Sequence, residues 1–274
     1  MFGQRLEAVR AAVPLVHCIT NYVTVHDVAN VLIACGGSPI MSDEPQDVED
    51  ITSICNALTV NIGTLNASSI VAMSLASARA QELGHPIVLD PVGAGASKLR
   101  TETATRLLAN RKVACVRGNM SEIKALAVGA AKTRGVDVAA CDVVTLQNLE
   151  SVAAFTREFA AKANTIVAVS GAIDLVSDAR QTFVISNGHK MMGGITGSGC
   201  MLSAVVAAYL AANPGNELSA VAAAFAMFGL AGKLAAEKAL QLGCGNATYS
   251  NLLIDEVCKM DAATLDRGAI YELL

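Results

Sequence analysis

Thr196-Gly197-Ser198-Gly199-Cys200 runs straight into the apolar stretch 201–210, so a tight glycine turn opens directly into a helix. Glycine lets the backbone take φ > 0 and aim its N–H groups outward, while the first helical turn adds unpaired donors and the positive end of its dipole. Gly197, Ser198 and Gly199 therefore read as an anion hole. Cys200 falls in that first turn, where the same field favours thiolate over thiol and lowers its pKa, which makes it a candidate base. A plain surface turn followed by a small buried cysteine would carry the same pattern. No Gly-Lys-Ser/Thr follows, which excludes a P-loop, and no strand-Gly-x-Gly-x-x-Gly-helix unit with a downstream acid can be placed.

Asn119-Met120-Ser121-Glu122 follows a strand-like run and opens a helix, placing an amide and a carboxylate three residues apart on one helical face. Mg²⁺ takes hard oxygen ligands, keeps several waters and is commonly held by one or two carboxylates plus substrate phosphates, so Glu122, directly or through water, suits it. Helix capping accounts for Glu122 equally, with Ser121 as a possible cap. Asp90, ahead of a proline and a glycine loop, can position the same metal or close an Asx turn. Arg117 ends a strand, where a bidentate guanidinium would hold phosphate oxygens, although a solvated strand cap is the commoner use of such a residue. Ser170, in Ser170-Gly171-Ala172-Ile173-Asp174, offers a hydroxyl and backbone donors to a phosphate, as would any glycine turn between strands. His17, His26, His85 and His189 show no i,i+4 pairing and no acid at catalytic spacing, so a histidine triad or zinc site is not expected and the histidines read as structural.

These residues need a scaffold, and the chain supplies one by alternating strand-like and helix-like runs, the rhythm of a parallel sheet with crossover helices. Strands are expected at 15–19, 39–41, 58–62, 87–89, 113–117 and 166–169, and helices at 26–34, 47–56, 67–83, 103–109, 121–128 and 146–163. Residues 173–177 and 182–185 read as an antiparallel hairpin, and beyond Gly199 the chain reads as almost entirely helical. Ligands of open α/β sheets bind beyond the carboxyl ends of the strands, so the loops at Asn21, Ser42, Gly63, Asp90, Asn119, Gly171 and Gly197 are expected to crowd one edge.

With 274 residues, no linker-like tract and no internal repeat, the chain is expected to form one α/β domain spanning 1–274. Hydrophobic residues reach 53% against 16% charged, which suits tightly packed helices and an oligomer interface. A net charge of −4 with scattered lysines and arginines argues against nucleic acid. The eight cysteines (18, 35, 55, 115, 141, 200, 244, 258) form no C-x-x-C pair and read as reduced thiols of a cytoplasmic protein. The amphipathic start is unlike a signal peptide, and the apolar run 218–232, bounded by Glu217 and Lys233, reads as a buried or interfacial helix rather than a membrane span.

Five motifs in order, Val16-His-Cys-Ile-Thr-Asn21, Gly36-Gly-Ser-Pro-Ile-Met41, Asp90-Pro-Val-Gly-Ala-Gly95, Arg117-Gly-Asn-Met-Ser-Glu122 and Gly197-Ser-Gly-Cys200, together resemble the hydroxyethylthiazole kinase family over nearly the whole chain. The resemblance implies a ribokinase-like α/β fold and a homotrimer with active sites at subunit interfaces. It also implies transfer of the ATP γ-phosphate to the primary hydroxyl of 4-methyl-5-(2-hydroxyethyl)thiazole in thiamine salvage. Carried over position by position, it implies that Met41, Gly197 and Asn21 serve the thiazole and that Arg117 and Ser170 contact ATP. Wider sugar-kinase relatives place an aspartate base where Cys200 stands, and Ser198 occupies a position that often holds Ala or Thr. The expected mechanism is in-line attack of the hydroxyl on the γ-phosphoryl, with Mg²⁺ near Glu122 and Asp90 and developing charge received by the 197–200 turn. A kinase for another small alcohol, an ATP-dependent dehydratase of a hydrated nicotinamide nucleotide, and a non-catalytic binding protein are the alternatives.

Overall fold

The computed structural model describes residues 2–130 and 143–274, so Cys141 lies outside the described residues. In chain order the elements are α1 (Phe2–Ala12), β1 (Leu15–Ile19), α2 (Val25–Cys35), β2 (Ser38–Met41), α3 (Val48–Ile54), β3 (Ala57–Asn61), α4 (Ala67–Leu83), β4 (Ile87–Asp90), α5 (Lys98–Asn110), β5 (Cys115–Asn119) and α6 (Met120–Ala130). They continue with α7 (Leu149–Ala163), β6 (Ile166–Ser170), β7 (Asp174–Ser177), β8 (Thr182–Ile185), a 3₁₀ turn (Lys190–Gly194), α8 (Ser198–Ala212), α9 (Glu217–Leu242), α10 (Asn246–Lys259), α11 (Ala262–Gly268) and β9 (Tyr271–Leu273).

One nine-stranded sheet has the order β2-β1-β3-β4-β5-β6-β7-β8-β9. The pairs from β2 to β6 are parallel, and the pairs from β6 to β9 are antiparallel. Strand side chains alternate between faces, so the continuous apolar runs expected of central parallel strands feed two cores. Val88, Cys115 and Ala168 join one cluster with α1, α2 and α8 to α11. Ile87, Leu89, Val116, Val167 and Val169 join the other with α3 to α7. The result is a three-layer sandwich in which every parallel strand opens its carboxyl end toward the same edge.

Short side chains decide how closely α8 and α9 lie to their neighbours. Residues 201–210 of α8 are all buried, as is most of α9. Among the described residues α9 alone is long and apolar enough to cross a membrane by length and composition, and 83% of that apolar stretch is buried inside the fold. The expected run 218–232 is therefore the core of a longer, 26-residue helix.

Three boundaries differ from the sequence reading for identifiable reasons. Helix α6 is capped by Asn119, not Ser121: the Asn119 Oδ1 accepts from Glu122 N at 2.9 Å and Glu122 Oε2 accepts from Asn119 N at 2.8 Å, a reciprocal capping box. Helix α5 starts at Lys98, where Ser97 accepts from Arg100 N, because a cap can start a helix whose first turns carry little apolar signal. The chain also does not stay helical to its end, since β9 pairs with β8 through Tyr271↔Ile185 and Leu273↔Phe183. Nothing local marks a three-residue edge strand.

Candidate active site

The sheet order reverses at β1, from which the chain moves outward to β2 and then back past β1 to β3. Such a switch point leaves a crevice beyond the strand ends. Asn21 follows β1, Asn61 ends β3, Asp90 ends β4, and their side chains meet there. Asn21 Nδ2 donates to Asn61 Oδ1 at 3.1 Å, and Asn61 Nδ2 donates to Asp90 Oδ2 at 2.9 Å. Both amides also donate to Cys200 Sγ, at 3.1 and 3.2 Å. One turn into α8, the Ser203 hydroxyl donates to Asp90 Oδ2 at 2.7 Å. The chain from β1 to α8 is thus closed by hydrogen bonds through four separate segments.

Arg117 continues the row. Its Nη1 lies 3.8 Å from Asp90 Oδ2 and its Nη2 donates to Ser170 Oγ at 2.7 Å, with the side chain only 9% exposed. Gly197 takes φ +84°, and a Cβ there would meet Thr24 Cγ2 at 2.6 Å, so this position needs glycine on both counts. Gly199 needs glycine for a different reason from the one expected. It lies in helical conformation, and a Cβ on it would stand 2.5 Å from Arg117 Nη1. The Ser198 hydroxyl is taken by the Met192 carbonyl at 3.1 Å, leaving backbone N–H groups as the anion-binding part of the turn.

Glu122 is committed at both oxygens. Oε1 accepts from Gly93 N at 2.8 Å while Oε2 closes the capping box, so this carboxylate stitches the glycine loop after β4 to the start of α6. Asp90 is fully buried, and its Oδ1 has no hydrogen-bond partner. Burial pushes the Asp90 carboxyl up to about 6, against the pull of Arg117 and Ser203, with the Glu122 charge adding to the rise. Asp174 lies beside Ser170 and its Oδ1 accepts from Gly171 N at 2.9 Å. Burial lifts this carboxyl to about 7, opposed by the Gly171 N–H and Arg117.

At Cys200 burial raises the pKa and Asp90 raises it further, while hydrogen bonds from Thr24, Asn21 and Asn61 pull it down. Desolvation thus opposes the helix-terminus field that favours thiolate at this position.

One pocket opens on the glycine turn, and a second, smaller one is joined to the turn through Asn61, whose amide donates to Cys200. The larger, about 560 Å³, is lined by Arg117, Ser170, Gly171, Asp174, Ser198 and Gly199 together with apolar groups of α8 and α9. The smaller, about 270 Å³, is lined by Tyr22, Met41, Ser42, Asp43, Asn61 and Thr64. The loops named from sequence as one edge are therefore brought together, with Arg117, Ser170 and the turn on one side and Met41 on the other. Asn61, Ser203 and Asp174 are not singled out by the sequence reading. Asn61 carries the one available signal, an amide closing a short, buried, mostly apolar strand.

A long open sheet with helices on both faces, a glycine turn entering a buried helix at the switch-point edge, and an arginine facing it define a ribokinase-like α/β protein. A ribokinase-like superfamily protein from Enterococcus faecalis V583 shares the fold at a TM-score of 0.60 and 13% identity, covering 90% of this chain and 87% of that one. The Hydroxyethylthiazole kinase family pattern matches residues 6–263, and the chain belongs to that family. Hydroxyethylthiazole kinase of Clostridium acetobutylicum is 48% identical over 272 residues, 99% of each chain. The structure of a hydroxyethylthiazole kinase protein from Pyrococcus horikoshii OT3 superposes with a TM-score of 0.89 at 35% identity, covering 100% of this chain and 98% of that one. The chain is accordingly a kinase.

Proposed function

We propose that this chain, as one kinase domain over residues 1–274, transfers the γ-phosphoryl group of ATP to the primary hydroxyl of 4-methyl-5-(2-hydroxyethyl)thiazole, serving thiamine salvage. The observation that carries this reading is a pocket on the glycine turn with a second pocket joined to the same turn through one buried amide. Ser198 and Gly199 line the larger, and Cys200 is bonded to Asn61 of the smaller. ATP enters the larger, where the Arg117 guanidinium, steadied by Ser170, holds phosphate oxygens and the Gly171 loop adds backbone donors. The thiazole alcohol enters the smaller, against Met41 and near Asn21. Its hydroxyl then faces the γ-phosphoryl across the turn, and the backbone N–H groups of Gly197, Ser198 and Gly199 receive charge as the leaving oxygen departs. A loose transition state asks little of a base, so Cys200 either takes the hydroxyl proton late or only shapes the site, the proton then passing to an oxygen of the transferred phosphoryl group.

Mg²⁺ fits the donor set. Asp90 presents a buried, unpartnered oxygen, while Glu122 already accepts an N–H at each oxygen and would reach the ion through water. Among the described residues no cluster of three His, Cys, Asp or Glu groups forms a protein cage, which suits an ion that shares its ligands with phosphate and water. Bound there, Mg²⁺ would neutralise phosphate charge. A homotrimer with interfacial sites is supported by Tyr22, 78% exposed where it lines the smaller pocket, and by its exposed neighbour Val23. Sedimentation showing a monomer at micromolar concentration would refute it. The free cysteines among the described residues support a reducing, cytoplasmic setting.

The test is an ADP-release assay with ATP, Mg²⁺ and a panel of small alcohols including the thiazole alcohol, sugars and the pyrimidine alcohol of thiamine synthesis, with mass detection of product. Thiazole-dependent ADP and a monophosphate product support the reading. Turnover with a different alcohol, or thiazole binding without ADP, refutes it.

A further inference from the structure

The mechanism makes no use of His17, yet this ring is among the best-fixed polar groups of the protein. It projects from β1 to the face opposite Val16 and Cys18 and is completely buried. Nδ1 lies 2.9 Å from Thr52 Oγ1 on α3, and Nε2 lies 2.9 Å from the backbone carbonyl of Ser42. A carbonyl can only accept, so Nε2 carries the hydrogen and Nδ1 accepts from the Thr52 hydroxyl. Burial lowers the ring's pKa, which keeps this tautomer neutral.

The position of Ser42 gives the contact its meaning. Strand β2 is the outermost strand and has β1 as its one neighbour, and their ladder ends at Cys18↔Met41. Among the described residues the chain beyond Met41 has no sheet partner, and Met41, the last paired residue, together with the unpaired Ser42 and Asp43 walls the smaller pocket. Outside, the Ser42 hydroxyl donates to Asp47 Oδ2 at 2.6 Å across an exposed loop. Inside, the buried fixture is the His17 N–H, which supplies one more bond where the ladder stops.

We propose that His17 is the positioning residue of the acceptor pocket: its Nε2–H holds the Ser42 carbonyl and so fixes the Met41-to-Asp43 wall against the alcohol substrate. This rests on the reading of the smaller pocket as the acceptor site. His17 touches no reacting atom, so its removal loosens the alcohol while leaving ATP and the chemical step in place.

Two variants one methylene apart separate positioning from packing. His17→Gln keeps an N–H long enough to reach the Ser42 carbonyl, whereas His17→Asn can still meet Thr52 but falls short of Ser42. Losing one such buried hydrogen bond corresponds to about tenfold in binding, so His17→Asn is expected to raise KM for the alcohol about tenfold, with kcat and KM for ATP within about twofold and His17→Gln close to wild type. Unchanged KM for the alcohol in His17→Asn overturns the proposal, and so does a lower kcat and Tm with both KM values raised together, which marks a packing role. Nitrogen-15 NMR of the whole wild-type protein at pH 7 is expected to show a neutral ring protonated at Nε2. A neutral ring protonated at Nδ1, with a bare Nε2, overturns the clamp even if the asparagine variant does not fold. Wild-type protein without thiazole-dependent turnover would count against the kinase reading instead, and the NMR result would still decide the clamp.

Discussion

A methyl group added at Gly199 would test how strictly the site depends on where Arg117 sits. The new Cβ would stand 2.5 Å from Nη1, 2.9 Å from Nη2 and 3.1 Å from Cζ of Arg117. Ordinary carbon contacts begin near ~3.5 Å, so the guanidinium would have to retreat by roughly 1 Å. That displacement pulls Nη2 off Ser170, now 2.7 Å away, and moves the charge from the phosphates it is placed to hold. A misplacement of about 1 Å in a catalytic group costs on the order of 10²-fold, or roughly 2.7 kcal/mol of transition-state stabilisation. Stability should not suffer, because the clashing atoms end a flexible side chain and alanine is favoured over glycine by up to about 1 kcal/mol inside a helix. The expected result for Gly199→Ala is a kcat/KM for ATP lowered about 100-fold with Tm equal to or above wild type. Steady-state ADP release and thermal unfolding on the same preparation measure both quantities. Activity within about threefold of wild type would refute the argument that this glycine exists to admit the guanidinium. So would a variant whose Tm falls by many degrees.

The neighbouring glycine should behave in the opposite way. Gly197→Ala faces both φ +84° and a Cβ 2.6 Å from Thr24 Cγ2, so it should lose on the order of 1–3 kcal/mol of stability, and an unchanged Tm would contradict the strain argument. Cys200→Ser should lower turnover while leaving alcohol binding measurable by calorimetry, and unchanged turnover would remove Cys200 from the chemistry. Asp174→Asn keeps the Gly171 N–H acceptor but cannot ionise. The folded Asp174 carboxyl is raised to about 7, so wild type has the full stability contribution of the protonated form below the unfolded pKa of about 4 and loses it as pH climbs toward 7. Discounted for an acid that partly faces a pocket, the loss is on the order of 2 kcal/mol. Thermal unfolding should therefore show the variant more stable than wild type at pH 8 and equal to it at pH 4.5, whereas a pH-independent difference would sink the assignment.

Much of this architecture is written locally and could be read from the chain. Short continuous apolar runs, helices closed by Gly36 and Gly84, and the glycine turn entering an Ala-rich helix each report their own backbone conformation. The switch-point rule then gathers the strand ends, which is why the loops at Asn21, Ser42, Gly63, Asp90, Asn119, Gly171 and Gly197 were legible as one edge, while Met41 came from the family motifs. The family motifs, spread over nearly the whole chain, supplied the chemistry that no single motif specifies.

Tertiary structure decided what depends on burial and on partners distant in sequence. At Cys200 the local helix field favours thiolate, whereas burial and Asp90, 110 positions earlier, push the pKa up, and only the fold supplies that opposing pair. Glu122 turns out to bind the Gly93 loop as well as its own cap, and Gly199 is required by an arginine on another strand rather than by its own φ. Asn61, Ser203 and His17 gain their roles only when β1, β3, β4 and α8 converge, since each is an ordinary polar residue until its partner arrives across the sheet edge. Sequence fixes conformation through interactions a few residues long, whereas pKa, close approach and hydrogen-bond pairing at this site are set by the whole fold.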